Sequence, residues 1–381
     1  MEGLEPVLAT ELETLGGDEI EILNRAVACT GNKMLLYKAN YQLRTALKVL
    51  VFLKEFTVRN EHDLYNEVKK INWSEYFSLE NTFAIDAVVN STIFNHANFI
   101  ALKTKDAIAD YFREISGARP NVDSKDPDMK INVHIRENIV TLSLDSSGSS
   151  LHLRGYRRQQ VDAPLNEVLA AGMVLLSEWN ATTPLIDPMC GSGTILCEAA
   201  RIAGNIPPQD SEREFTFKRW NNFDEELWDQ VCRNAMDEAT PESIPEIRGY
   251  DISPRALEVS RANIELAGLS DYIQLGHEDF FYQDSYENIT LIFNPPYDER
   301  MKEKDILTFY KDIGDKLKRS FTNCTAWILS GHHEAIKNLG LRPSARKKLL
   351  NGSIPSVFYK YVLYQGSKKQ KWQNLSNDDS K

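Results

Sequence analysis

The sequence predicts an α/β protein in which an α+β N-terminal region precedes a C-terminal domain with a mostly parallel, doubly wound sheet. After Pro164, short apolar strand segments alternate with amphipathic helical segments, a pattern typical of βαβ units. Between about residues 62 and 153, helical segments are instead mixed with alternating strands, which indicates an α+β module. With 381 residues, the chain is long enough to bury two or three hydrophobic cores.

Periodicity and turn residues place the individual elements. In the first 60 residues they predict helices at 3–15 and 34–49 and strands at 26–29 and 51–56. In the second module they predict helices at 63–71 and 99–115 and strands at 82–89, 131–135 and 139–144. In the third part they predict helices at 165–179, 254–267 and 306–319, strands at 184–187, 247–251, 272–275, 289–293 and 326–330, and a hairpin of 346–350 with 357–364.

Two segments stand outside this alternation. The distance between the strands at 184–187 and 247–251 exceeds what one βα unit requires, so residues 204–246 are predicted to be an insertion with its own helix at 224–238. Its aromatic residues Phe215, Phe217 and Trp220 are predicted to be core. The polar residues 368–381 are predicted to be a disordered tail.

Composition and charge exclude several classes of protein. No apolar run reaches the length of about 18 residues that a membrane helix needs, and the N-terminus lacks the features of a signal peptide. The five scattered cysteines form no CxxC pair, which predicts reduced thiols, a cytoplasmic location and no metal site. A net charge of −11 argues against indiscriminate nucleic-acid binding, although local basic clusters remain at 154–158 and 342–348.

A glycine-rich turn follows the strand at 184–187. It runs from Asp187 through Pro188, Cys190, Gly191 and Gly193 to Thr194, and a helix begins at its end. The glycines let a ligand approach the backbone, and the N–H groups of a helix start would face that ligand. A carboxylate in front of the turn would repel a pyrophosphate but suits the cationic amino-acid end of S-adenosylmethionine. Cys190 has no histidine near it in sequence and is predicted to pack rather than to react.

Acidic residues also end the next two strands. Asp251, followed by Ile252, ends the strand at 247–251, where a carboxylate can bind ribose hydroxyls in doubly wound folds. Asp279 follows the third strand, where it could reach the amino group of adenine.

The strand at 289–293 ends in the most specific motif of the chain, Asn294-Pro295-Pro296-Tyr297. An exocyclic base amine is a poor nucleophile because its lone pair is delocalised into the ring. The Asn294 side-chain oxygen and the Pro295 carbonyl could accept hydrogen bonds from both amine hydrogens and so favour a pyramidal nitrogen. Two prolines fix the turn, and Tyr297 offers a face on which an extruded base can stack. No general base or metal is required, and positioning supplies most of the rate.

Together, the turn at Asp187–Thr194 and the Asn-Pro-Pro-Tyr motif resemble a class I, Rossmann-like methyltransferase that methylates amines. Residues 142–148, 153–157 and 163–167 resemble the junction between a THUMP RNA-binding domain and such a catalytic domain. Over nearly the whole chain the similarity is to the bacterial 23S rRNA guanine-N2 methyltransferases, often labelled N6-adenine-specific DNA methylases. The resemblance implies a ferredoxin-like unit at 1–60, a THUMP domain at 61–155 and a methyltransferase domain at 160–367.

Site roles follow from the same resemblance. It implies that Asn294, Pro295, Pro296 and Tyr297 hold the target base. It implies that S-adenosylmethionine binds to Asp187, Pro188, Cys190, Gly191, Gly193, Thr194, Asp251, Ile252, Asp279 and Asn166. It implies that Arg154, Arg157 and Arg158 contact RNA, with 23S rRNA or a large-subunit precursor as the partner.

The chain departs from the family pattern at two places. Asp298 stands where relatives usually have glycine after the tyrosine, which could change the geometry of the acceptor loop. Relatives usually have a strand before the position of Gly3, so an incomplete ferredoxin-like unit is expected. Three other functions stay open: tRNA guanine-N2 methylation, DNA N6-adenine methylation, and a non-catalytic RNA-binding assembly factor.

Overall fold

A computed structural model describes residues 1–157, 165–296 and 303–364. The N-terminal unit consists of helices α1 and α2 around a small antiparallel hairpin, β1 with β2. These elements span Glu5–Thr14 (α1), Asp18–Leu23 (β1), Ala26–Thr30 (β2) and Lys33–Gln42 (α2). Strand β1 was not predicted, although Ile20 and Ile22 alternate with Glu19 and Glu21; the strand is only six residues long and its side chains are mostly exposed.

The second helix of this unit is shorter than predicted. It ends at Gln42, whereas the sequence pattern extended it to residue 49. The backbone N–H groups of Arg44 and Thr45 donate instead to the carboxylate of Glu11, at 2.7 and 3.1 Å. A tertiary contact with α1 therefore ends the helix, which the periodicity of one segment cannot indicate.

A four-stranded sheet with two helices follows. Its elements are β3 (Leu50–Thr57), α3 (Glu61–Lys69), β4 (Phe83–Asn90), α4 (Ala97–Ser116), β5 (Met129–Arg136) and β6 (Ile139–Asp145). The strand order is β3-β6-β5-β4, with β4 and β5 parallel and the other pairs antiparallel. Ile131, Val133 and Ile135 alternate into the core, as the predicted period of two requires.

The third part is a seven-stranded sheet with helices on its faces. Its first elements are α5 (Glu167–Leu176), β7 (Leu185–Asp187), α6 (Thr194–Ala203), α7 (Glu225–Asp237), β8 (Ile247–Asp251), α8 (Pro254–Leu266) and β9 (Ile273–His277). The later ones are β10 (Tyr286–Glu287), β11 (Thr290–Phe293), α9 (Glu303–Ser320), β12 (Phe321–Thr322), β13 (Thr325–Ser330), β14 (Ala345–Asn351) and β15 (Ile354–Val362). The order in this sheet is β14-β15-β13-β11-β7-β8-β9, and its five strands from β13 to β9 are parallel, while β10 and β12 form a separate parallel pair.

The hydrophobic cores do not follow the order of the chain. Phe215, Phe217 and Trp228 lie in the insertion between α6 and β8, yet they pack into the core of the N-terminal half. Conversely, Leu4 from the N-terminus is fully buried in the core of the seven-stranded domain. The aromatic residues of the insertion are core, as predicted, but they complete a different part of the molecule.

No helix in the described ranges is both long and apolar enough to cross a membrane.

Candidate functional site

The strand order creates a switch point next to β7. From β7 the chain proceeds to β8 and β9 on one side, and then returns to place β11 on the other side. The Asp187 and Asn294 segments therefore follow adjacent parallel strands and lie at the same edge of the sheet. In open α/β sheets, ligands bind outside the carboxyl ends of the strands at such a switch point.

The glycine turn after β7 is held in a left-handed conformation. Gly191 and Gly193 have φ of 54° and 77°, which favours glycine. A Cβ atom on Gly193 would lie 2.4 Å from the hydroxyl oxygen of Ser260, whereas one on Gly191 would meet no atom within 4 Å. The two glycines therefore serve different needs, since Gly193 allows α8 to pack closely and Gly191 leaves open space above the turn.

Side chains of helix α8 and strand β8 hold this turn in place by hydrogen bonds. The Asn263 side-chain amide donates to the Ser192 carbonyl at 3.0 Å, and the Asp251 carboxylate accepts from the Gly191 N–H at 2.9 Å. Ser260 and Asn263 were missed by the sequence reasoning. They are two polar residues three apart on the buried face of a helix, a pattern that could have drawn attention to them.

Asp187 is a buried carboxylate, with only 1% of its surface exposed. Its carboxylate accepts a hydrogen bond from the backbone N–H of Met189, at 3.1 Å, and among the described residues no cationic side chain forms an ion pair with it. Burial, and secondarily the charge of Asp251, raises the pKa of Asp187 well above its usual range. A carboxylate in this environment would be stabilised by a cationic ligand group, which fits the amino-acid end of S-adenosylmethionine.

The other residues predicted to bind the cofactor lie around the same edge. Asp251 uses Oδ1 to accept from the Ser253 N–H and Oδ2 to accept from Gly191, and its remaining lone pairs can accept further donors. Ile252 is exposed beside it. Asp279 accepts from the Phe281 N–H at 3.0 Å, which fixes the loop after β9.

Four further predicted cofactor residues have clear structural roles. Pro188, Cys190 and Thr194 are buried in the turn or at its end. Burial raises the pKa of the Cys190 thiol well above its usual range, which agrees with packing rather than nucleophilic chemistry. The side chain of Asn166 caps α5 by accepting from the N–H groups of Val168 and Leu169.

The Asn294 segment follows β11 directly. The Asn294 Oδ1 atom is buried, and among the described residues it has no hydrogen-bond partner. Buried acceptors are nearly always paired, so an unpaired one at this edge suits a ligand donor. Pro295 is buried and Pro296 is exposed, while Tyr297 lies outside the described residues, as does Asp298.

The predicted RNA contact by Arg154 is wrong, because the structure buries this side chain completely. Its Nε lies 3.6 Å from the carboxylate of Glu198, and neither side chain has any exposed surface. The Arg157 side chain is 8% exposed and lies 3.3 Å from the Glu167 carboxylate, which likewise leaves little surface for a phosphate. Arg158 and the tail at 368–381 lie outside the described residues.

Comparison with known proteins identifies each part of the chain. Residues 154–360 match the family described as RMKL-like, methyltransferase domain. Residues 58–145 match the THUMP domain, and residues 1–50 match the RlmL ferredoxin-like domain. The three matches follow one another in the same order as the three structural parts.

Individual relatives extend over most of the chain. A protein named as a candidate RNA methyltransferase in Synechocystis sp. (strain ATCC 27184 / PCC 6803 / Kazusa) is 37% identical over 95% of both chains. The ribosomal RNA large subunit methyltransferase K/L of Photobacterium profundum is 34% identical over 97% of this chain and 53% of that protein. The chain thus spans about half the length of such K/L enzymes.

A solved structure agrees with these relatives. SMU.472, described as a candidate methyltransferase complexed with SAH, has 29% identity and a TM-score of 0.86 over 96% of this chain and 97% of that one. With the glycine turn, Asp187 and Asn294 at one edge of a sheet of this order, the chain belongs to the RMKL-like methyltransferase family, whose members depend on S-adenosylmethionine.

Proposed function

We propose that the chain transfers a methyl group from S-adenosylmethionine to the exocyclic N2 of a guanine in 23S ribosomal RNA. The unpaired, buried Oδ1 of Asn294, beside the glycine turn on the adjacent strand, carries this proposal. The match to a THUMP domain and the printed names of the K/L relatives support RNA, and ribosomal RNA in particular, as the substrate. Such a substrate also favours a cytoplasmic location.

Cofactor binding and base binding would be carried out by different residues of the chain. When bound, the cofactor supplies an electrophilic methyl group on a sulfonium. The turn from Asp187 to Thr194 and the carboxylates of Asp187, Asp251 and Asp279 would hold it. Asn294 Oδ1 and the Pro295 carbonyl would accept hydrogen bonds from the two N2 hydrogens, which turns the nitrogen lone pair towards the methyl group. The proton released after transfer passes to these acceptors or to water, so that positioning supplies most of the rate.

The proposed substrate is tested by nucleoside mass spectrometry after incubating the purified chain with labelled S-adenosylmethionine. Unmodified 23S rRNA, unmodified tRNA and adenine-containing DNA should be offered separately. We expect N2-methylguanosine in the 23S sample. Label in the tRNA or DNA sample alone would identify one of the other two substrates, and label in none would indicate a non-catalytic factor.

The role of Asn294 is tested by Asn294→Ala. Removing one acceptor that is matched to the reacting group should lower kcat by about a hundredfold or more, while the Kd of S-adenosylmethionine stays unchanged. Gln274→Ala, at an exposed position of β9, is the matched control and should keep full activity. An equal loss of cofactor binding and transfer in Asn294→Ala would contradict this division of roles.

A further inference from the structure

The segment at residues 151–157, here the junction segment, connects the THUMP domain to the methyltransferase domain. The family resemblance implied that its arginines contact RNA, but the structure buries the side chains of Arg154 and Arg157. Tyr156 is buried as well, and it packs in the core of the methyltransferase domain. These three side chains of the junction segment are therefore buried where the two domains meet.

Glu198 is the centre of the first group of contacts. The Tyr156 hydroxyl donates to Glu198 Oε1 at 2.9 Å, and Arg154 Nε lies 3.6 Å from the same oxygen. Arg154 also donates to the carbonyls of Leu151 and Arg44, both at 2.6 Å, so it connects the junction segment with the N-terminal unit. Glu198 lies on α6, the helix that begins at the glycine turn.

Glu167 is the centre of the second group. Its carboxylate lies 3.3 Å from Arg157 Nη2, and Arg157 Nη1 donates to the Leu165 carbonyl at 2.7 Å. Glu167 is the first residue of α5, directly after the capping residue Asn166. Glu198 thus stands on the helix that begins at the glycine turn, and Glu167 stands on α5, which packs against that helix.

Side chains of the insertion also form hydrogen bonds with the junction segment and with the residues just before it. Gln209 donates to the Leu151 carbonyl at 2.7 Å, and Arg213 donates to the Leu153 carbonyl and, at 2.8 and 2.9 Å, to the carbonyls of Ser149 and Ser150. These bonds hold the backbone rather than individual side chains. They leave the segment little freedom to change its path.

Stability alone does not account for such a buried group of charges. Removing ions from water costs several kcal/mol each, and a well-packed apolar cluster is often as stable as a buried ion pair. What charged groups add is a defined geometry, and a misplacement of about 1 Å can lower the rate of an enzyme about a hundredfold. In a two-domain enzyme that binds RNA on one domain and reacts on the other, this geometry decides whether the base reaches the site.

We propose that Glu198 and Glu167 are positioning residues that hold Arg154, Tyr156 and Arg157 and so, together with the aromatic core that the insertion shares with the N-terminal half, set the orientation of the THUMP domain relative to the glycine turn and Asn294. This inference rests on the proposed function, because it assumes that RNA bound to the THUMP domain presents its base to that site. Neither carboxylate needs to touch the RNA or the cofactor.

The kinetic test compares Glu198→Gln and Glu167→Gln with Glu178→Gln. Glu178 forms an exposed ion pair with Lys360 in the same domain, away from the junction segment, and is the matched control. Each protein is assayed with unmodified 23S rRNA and with a short stem-loop that carries the target guanine and is too small to reach the THUMP domain. We expect kcat/KM on 23S rRNA to fall about a hundredfold in the two variants, with unchanged rates on the stem-loop and unchanged Kd for S-adenosylmethionine.

Equal losses on both RNAs would overturn the inference, because they would indicate a role inside the methyltransferase domain. Unchanged rates on both RNAs would overturn it as well. Should Glu198→Gln fail to fold, Glu167→Gln and Tyr156→Phe decide, since Tyr156→Phe removes only the hydroxyl that donates to Glu198.

A second measurement needs no RNA and no activity. Fluorescence energy transfer between dyes at the exposed positions Glu80 and Asp271 reports the distance between the two domains. We expect a broader distance distribution in the Glu198 and Glu167 variants than in Glu178→Gln, and an unchanged distribution would contradict the inference. If the unaltered chain methylates neither RNA, the proposed function fails, while this distance measurement still tests the orientation.

Discussion

Asp187 lies in an environment that opposes a negative charge on its carboxyl group. The side chain is buried, and among the described residues no cationic group forms an ion pair with it. Its raised pKa is the electrostatic sign of this cost, because burial favours the neutral acid. A bound cation would instead stabilise the charged carboxylate. We therefore expect ligand binding to change the protonation of Asp187.

The affinity for S-adenosylmethionine should therefore depend on pH. Below the raised pKa, Asp187 is neutral and cannot attract the ammonium group, so affinity should increase as the pH rises through that value. Binding should also release a proton from Asp187 in the same range, which calorimetry in buffers of different ionisation enthalpy measures. Asp187→Asn should remove both effects, and Asp271→Asn, at an exposed site, should keep them. A pH-independent Kd for the unaltered chain would contradict this role.

The turn between β7 and α6 contains two glycines that are required for different reasons. Gly193 faces Ser260 of α8, while Gly191 faces open space. One glycine is required by packing against the protein and the other by access to the backbone. The same residue type thus occurs twice in three positions for different physical reasons.

Alanine substitutions should separate these reasons. Both Gly191→Ala and Gly193→Ala place a side chain at positive φ, which costs about 1–2 kcal/mol of folding stability. Gly193→Ala should cost more because its Cβ would lie 2.4 Å from Ser260 Oγ, and adding Ser260→Ala should recover that excess. Gly191→Ala should instead lose mainly affinity for S-adenosylmethionine. Denaturant unfolding and equilibrium binding measure these effects, and identical stabilities of the two single variants would contradict the assignment.

At the scale of the whole molecule, the domains exchange core residues. Phe217 stacks on Tyr37 with ring centroids 4.7 Å apart, and Trp228 lies against Tyr41 at 5.5 Å. Leu4 fills the space above Gly172 of α5, where an added Cβ would lie 2.5 Å from it. The methyltransferase domain thus does not have a hydrophobic core of its own for all of its residues, because part of its insertion belongs to the core of the N-terminal half.

A fragment of residues 154–364 should consequently aggregate when it is produced without the rest of the chain. Without residues 1–153, the rings of Phe215, Phe217 and Trp228 would be exposed as one apolar patch, which favours aggregation. Size-exclusion chromatography and dye binding measure this behaviour. Replacing Phe217 and Trp228 by glutamine in the fragment should restore a monomer. A monomeric, folded fragment with the natural residues would contradict the interlocking of the cores.

Much of the site could be predicted because its signals are local. A strand that ends in an acid, a glycine turn and a helix start occupy consecutive positions, as does the Asn294–Tyr297 motif. The bond from Gly191 to Asp251 and the support by Asn263 could not be predicted, because the partners lie on separate elements. Arg154 was misassigned for the same reason, since a basic cluster gives no sign of the carboxylate that buries it.

By itself, the sequence determined most of the order of helices and strands, the glycine turn and the position of the Asn294–Tyr297 motif, because periodicity and turn chemistry act over a few residues. Only the tertiary structure decided that β11 lies beside β7, that the insertion completes the N-terminal core, and that Glu198 and Glu167 hold the junction segment. Each of these depends on contacts between residues far apart in the chain, whose free energy arises only when folding brings them together.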